Sequence, residues 1–349
     1  MKKTPDSPTK LSMSAILITA GFLLVISVTI AVSMGSVEIP FKHVWAILIN
    51  KIVPGTFEQL WSKGHESIIW NIRFPRALLA CLVGAGLSVI GATLQAITRN
   101  PLADPHLMGI SSGAAFGAIL ALLHTGLFLG LFTVPLMAFV GALVATLIVS
   151  SVASILGASS ADRLVLAGVA ISFVIMAAAN FLIFLGDPRA THTVVFWMLG
   201  GLGLAQWNHL IFPTLAFIGC SLYLFIHANE LNALTIGDET AATLGISVDY
   251  FRLKIFVVSA LLTGVMVAFS GMIGFVGLMI PHIVRMIVGG DNIRVLPTSA
   301  LFGALFLIWA DIVARKVMQP EDIPIGILTG FFGGLFFIWL LGRRRSAGT

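Results

Sequence analysis

Apolar runs long enough to cross a bilayer recur along the whole chain, and no other feature restricts its fold so sharply. They occupy Leu11–Met34, Ala77–Ile97, Gly109–Leu131, Val134–Leu156, Leu164–Leu185, His209–His227, Phe251–Phe269, Ile273–Val288, Pro297–Val317 and Ile325–Leu341. A hydrocarbon core about 30 Å thick takes ~20 apolar residues of helix. Backbone groups inside it have no water to bond, so spans are helices or a closed barrel. Unbroken runs, rather than short alternating segments, select helices. Charged residues make up only 10% of the 349 positions, against roughly 25% in a soluble domain. The sequence therefore predicts an all-α polytopic membrane protein, one transmembrane domain over residues 1–349. It has ten helical spans by the runs named above. A shorter apolar piece, Val194–Leu204, cannot span and reads as a re-entrant half-helix.

The first run follows Met1-Lys2-Lys3 but is longer than a signal-peptide core. It also lacks a clear small-x-small cleavage site, so it reads as the first span. Basic residues then set orientation. With both termini cytoplasmic, twelve of the 20 Lys and Arg residues fall on the inner side. These include Lys2, Lys3 and Lys10 of the N-terminal tail (residues 1–10) and Arg343, Arg344 and Arg345. The net charge of +5 reads as cytoplasmic anchoring, not nucleic-acid binding. The exported Arg73, Arg76 and Arg315 need an explanation of their own.

Several function classes lose support. The 15 acids fall at span ends or in loops, which disfavours a proton relay through span centres. The deepest pair, Asp311 and Arg315, is spaced i, i+4 and can pair on one helix face. The eight histidines form no His-Glu-x-x-His motif, and His106 and His282 read as hydrogen-bonding groups near span ends. Cys81 and Cys220 lie inside apolar runs, with neither disulfide nor metal-ligand spacing. No catalytic or metal-binding set emerges. There is no Gly-x-x-x-x-Gly-Lys-Ser/Thr phosphate loop, so energy for any pumping must come from another protein or an ion gradient. The 35 glycines cluster within spans, where small residues let helices approach closely.

Two polar stretches stand out. One is the turn Asn100-Pro101-Leu102-Ala103-Asp104-Pro105-His106, followed by Gly109-Ile110-Ser111-Ser112-Gly113-Ala114. The other is the cytoplasmic loop 229–250. Within it Asp238 and Glu239 suit a helix N-terminus. Ala241, Ala242 and Leu244 give a small apolar face, and Gly245 fits the position just past a helix end. This two-turn helix is either an ordinary loop element or a knob that enters a groove on a cytoplasmic partner.

Taken together, Arg73-Phe74-Pro75-Arg76, the Asn100–His106 turn with its Gly-Ile-Ser-Ser-Gly-Ala sequel, and Gly274-Phe275-Val276-Gly277-Leu278-Met279-Ile280-Pro281-His282 resemble a known family. So do Ala310-Asp311-Ile312-Val313-Ala314-Arg315 and Pro324-Ile325-Gly326-Ile327-Leu328-Thr329-Gly330. The family is the permease subunits of type II ABC importers, the FecCD-type permeases for iron-siderophores, haem and cobalamin. The resemblance implies a homodimer or pair of related chains in the inner membrane, both termini cytoplasmic. It also implies two ATPase subunits below and a periplasmic or lipid-anchored binding protein above. ATP and Mg would be held by the ATPase, with no cofactor on this chain.

The resemblance further assigns Arg73, Arg76 and Arg315 to binding-protein docking. It makes Asp238, Glu239, Ala241, Ala242, Leu244 and Gly245 an ATPase coupling helix. Asn100 and Leu102, with Ala161 and Asp162, match a cytoplasmic gate. Asp162 departs from the small hydroxyl residues that relatives can carry; it either binds a cation or pairs with Arg163. The expected cargo is an iron(III)-siderophore, with haem or cobalamin as alternatives. A different class, the ion-coupled secondary transporter, remains the competitor.

Overall fold

Helix α3 is the axis of the molecule and runs unbroken over Lys63–Thr98 in the computed structural model. The structure describes residues 12–35, 37, 39–155 and 161–346. Among these, every regular element is a helix. In chain order the others are α1 Met13–Ser33, α2 Phe41–Ile52, α4 Ile110–Thr125, α5 Thr133–Ile155, α6 Ala161–Leu185 and α7 Pro188–Met198. Then come α8 Trp207–Ile226, α9 Ala228–Ile236, α10 Asp238–Thr243, α11 Val248–Ser270, α12 Val276–Val288, α13 Asn292–Lys316 and α14 Ile325–Ser346. Seven of the described helices are long and apolar enough to cross a membrane, namely α1, α3, α5, α6, α8, α11 and α13. Three shorter apolar stretches, α4, α12 and the Ile325–Leu340 part of α14, match the remaining runs.

Helix α3 begins well before the apolar run that announced it. Ser62 caps it, its hydroxyl accepting from the His65 N–H at 3.1 Å. Pro75 has no N–H to give to the turn before it. The ladder widens into a π turn over Ile68–Arg73 immediately upstream. From Ala77 onward almost every α3 side chain is buried, because α13, α11, α12 and α8 surround it. Close approach is possible because glycines face one another. A Cβ on Gly84 would collide with the Gly303 carbonyl of α13, and one on Gly91 with Gly277 of α12. Lipid gives helices no hydrophobic reason to associate, so such small-residue seams carry the packing. A second group, α4 with α5 and α6, has its own seam at Gly113 and Gly141. Helix α11 touches both groups through α3 and α5. Phe22 of α1, Phe173 and Phe184 of α6, and Leu215 of α8 stay exposed, as lipid-facing positions should.

The half-helix differs from expectation in its limits. It spans Pro188–Met198, not Val194–Leu204, because Asp187 and Pro188 form a start signal that outranks the apolar run. The Asp187 carboxylate accepts from the Arg189 N–H at 2.8 Å, with proline in the first turn. Leu199–Gly201 is then a loop stitched to two others. Gly201 N–H donates to Ser270 O at 2.8 Å, while Ile325 and Gly326 N–H donate to Gly200 O and Leu199 O, both at 3.0 Å.

Candidate functional site

One end of the bundle gathers the turn after α3, the α9–α10 corner and the α12–α13 turn. The Asn100 side chain accepts from the Leu102 N–H at 2.9 Å, and its carbonyl from the Ala103 N–H at 3.1 Å, so the turn is locally built. Asp104 accepts from the His106 N–H at 2.8 Å, and the His106 ring bonds Ile273 O at 3.1 Å. Leu102 projects outward, 54% exposed. Ala161 and Asp162 open α6, but their side chains lie outside the described residues. The basic tail residues Lys2, Lys3 and Lys10, and the side chains of Arg343, Arg344 and Arg345, lie outside them too.

The loop 229–250 is two short helices set corner to corner, not a single one. Its α10 closes with a left-handed Gly245 at φ +83°. Gly245 N–H donates to Ala242 O at 2.9 Å and Ile246 N–H to Ala241 O at 3.1 Å, which satisfies the last carbonyls. Ala241 is fully buried beneath the helix, whereas Ala242 and Leu244 are exposed. Ile236 and Tyr250, on either side of α10, are exposed as well. The Asp238 carboxylate lies 2.8 Å from Arg252 Nη2 and 3.6 Å from Arg99 Nη2. Arg252 in turn donates from Nε to Ile97 O at 3.2 Å, on the last turn of α3.

Other locks at this end carried no sequence signal. Gln95 donates to Gly277 O at 3.1 Å and accepts from Arg285, which also reaches Ala92 O at 3.2 Å. Asn232 donates to the Asp291 carboxylate at 2.7 Å and accepts from the Asn292 N–H at 2.7 Å. Both join residues far apart in the chain, so periodicity cannot reveal them. A cavity of about 390 Å³ lies among these groups, lined by Arg99, Thr235, His282 and Arg285.

At the opposite end the three arginines form one buried cluster. Arg73, Arg76 and Arg315 are 6%, 8% and 7% exposed. Asp311, 1% exposed, sits between two of them, 2.8 Å from Arg76 Nε and 3.0 Å from Arg315 Nε. Arg76 also reaches the half-exposed Asp322 at 2.5 Å. Arg73 donates to the carbonyls of Val32, Ser33 and Val37, and Arg315 to those of Ala31 and Met34. Two guanidiniums thus cap the C-terminal end of α1, where unpaired carbonyls and the helix dipole favour cations. The expected i, i+4 pairing of Asp311 with Arg315 is present. Buried charges must be paired, and these three arginines find partners within the chain. Arg76 pairs with a half-exposed carboxylate, Asp322.

A family model described as the FecCD transport family matches residues 23–343. The chain belongs to this family. It is 38% identical over 333 residues to the hemin transport system permease protein HmuU of Yersinia pestis, covering 93% of this chain and 96% of that one. It is 38% identical over 295 residues to the vitamin B12 import system permease protein BtuC of Citrobacter koseri, covering 84% and 88%. A Helicobacter pylori protein named for iron chelatin transport is 40% identical over 282 residues, covering 80% and 83%. A solved metal-chelate type ABC transporter in an inward-facing conformation superposes with a TM-score of 0.79 at 32% identity, covering 95% of this chain and 99% of that one. This FecCD-family chain is therefore a membrane-embedded ABC importer permease. In such systems ATP is hydrolysed on a separate subunit.

Proposed function

We propose that this permease imports an iron(III)-siderophore complex through a pathway between two copies of the chain in the inner membrane, both termini cytoplasmic. Two ATPase subunits dock at the α9–α10 corner. A substrate-binding protein docks at the arginine end, where the half-exposed Asp322 lies beside the buried Arg73, Arg76 and Arg315. ATP closes the ATPase pair, α10 carries the motion inward, and the turn at Asn100 and Leu102, together with Ala161 and Asp162, opens and shuts the exit. The observation that carries this reading is α10 itself: a helix outside the spans, closed at its C-terminal end by Gly245 and leaving Ala242 and Leu244 exposed, as are Ile236 and Tyr250. Exposed apolar residues grouped on a polar end are the mark of a protein–protein contact. Among the described residues the most buried carboxylate, Asp311, is committed to two arginines, which counts against an ion-coupled carrier.

The cargo rests on kinship. A relative named for iron chelatin favours a siderophore. The hemin permease aligns over more of this chain and favours haem as the second reading. The test is titration of the cognate binding protein with a ferric hydroxamate, haemin and cyanocobalamin. Tight binding of the hydroxamate alone supports the siderophore assignment; tight binding of haemin or cyanocobalamin replaces it.

A further inference from the structure

A coupling helix is useful only if its motion reaches the gate. The helix has six residues, with Gly237 before it and Gly245 after it. Its packing is against α9 and α11. Side chains supply the direct route. Asp238, at the first position of α10, holds two arginines with its two carboxylate oxygens: Arg252 on Oδ1 at 2.8 Å and Arg99 on Oδ2 at 3.6 Å. Both lead to the end of α3. Arg252, whose side chain is nearly inaccessible, donates to Ile97 O. Arg99 is the left-handed residue that terminates α3, at φ +51°, and it directly precedes Asn100.

We propose that Asp238 is the joint that transmits displacement of α10 to the Asn100–Leu102 turn, with Arg252 and Arg99 as its two arms. The inference deepens the proposed function and rests on its assignment of α10 and of the gate turn. Asp238 is in this sense a positioning residue: it touches neither cargo nor nucleotide. The two arms differ in kind. The Arg252 arm is buried and short, and fixes α10 to the body of α3. The Arg99 arm is longer and solvent-washed, and acts on the residue adjoining the gate. One carboxylate oxygen accepts a hydrogen bond from Arg252, and the other pairs with Arg99 by charge alone. Asparagine at 238 keeps the shape but loses the charge and one acceptor.

The test uses the full permease reconstituted with its ATPase subunits in liposomes. Cys81 and Cys220 are replaced by alanine, and Leu102→Cys serves as a reporter for a membrane-impermeant maleimide. Labelling is timed with and without ATP plus vanadate, which needs no knowledge of the cargo. We expect nucleotide to change the labelling rate in the otherwise native chain. Asp238→Asn should abolish that change, and Asp238→Glu should retain it. Arg99→Asn, chosen because Asn tolerates the left-handed conformation, should abolish or diminish it with ATPase assembly intact. A merely structural Asp238 would lower stability and leave the nucleotide response in place. Persistence of the full response in both Asp238→Asn and Arg99→Asn overturns the joint. If Asp238→Asn fails to assemble, Arg99→Asn decides alone. Absence of any response in the native background overturns the gate assignment, and the joint with it.

Discussion

Asp311→Asn is the most informative single change in the arginine cluster. The carboxylate is almost fully buried and lies within 3.0 Å of two guanidinium nitrogens, Arg76 Nε and Arg315 Nε. Asparagine fits the same space but leaves Arg76 with Asp322 as its acidic partner and Arg315 with the Ala31 and Met34 carbonyls. Removing one partner of a buried ion pair costs about 3–5 kcal/mol, because the orphaned charge stays out of water. At about 2.1 cal/mol/K per residue, a kilocalorie moves the midpoint of a 349-residue chain by about 1.4 °C, which predicts a fall of roughly 4–7 °C. The assay is the apparent thermal midpoint in detergent at fixed scan rate, read by circular dichroism. Asp322→Asn supplies the contrast. It removes a carboxylate from the same Arg76, but Asp322 is 37% exposed in its side chain, so water and the remaining pair absorb most of the loss. Exposed pairs are worth about 0–1 kcal/mol. The reasoning is refuted if Asp311→Asn melts with the native chain, or if Asp322→Asn costs as much.

Three further outcomes follow from other contacts. Gly303→Val should break the α3–α13 seam, since its side chain meets the Gly84 carbonyl and Ser88. Overpacking of this kind costs roughly 1–3 kcal/mol or more, and a normal yield of monodisperse protein would argue against the seam. Gln95→Leu should lower the thermal midpoint by leaving Arg285 without its side-chain acceptor and Gly277 O without a donor, at about 1–3 kcal/mol; an unchanged midpoint would show the lock to be idle. Gly245→Ala places a Cβ in the left-handed region at about 1–2 kcal/mol. It should weaken association with the ATPase subunits in a pull-down titration, whereas unchanged affinity would count against α10 as their docking element.

How much of this could be read from the sequence depends on the range of the interaction. Apolar runs announced the long helices, because each span is a local property of its own residues. The Gly245 cap and the Asp311–Arg315 pairing were legible for the same reason: each lies within a few residues of its partner. Helix α2 was not, since Lys42, His43 and Lys51 break its apolar pattern although its Val44, Ile47 and Leu48 are buried. The extension of α3 back to Lys63 was hidden by Lys63, His65, Glu66, Asn71 and Arg73, which interrupt the apolar run. The partners of Arg73 and Arg76 were not legible. Arg73 meets carbonyls on α1, and Arg76 meets carboxylates on α13 and just before α14, and such pairings exist only once the helices have packed. The same holds for Gln95 with Arg285 and for Asn232 with Asp291. The Asp238 arms combine both cases: the carboxylate was noticed for its place at a helix start, while its two arginines came from the folded chain.

The measurement that bears most directly on the account is uptake into proteoliposomes holding this permease, its ATPase subunits and its binding protein. The binding protein is presented in turn with ferric hydroxamate, haemin and cyanocobalamin. Accumulation of one of these should require all three components and ATP inside the ATPase compartment, and it should stop when ATP is withheld. Uptake that continues without the ATPase, driven by a proton or sodium gradient alone, would contradict it.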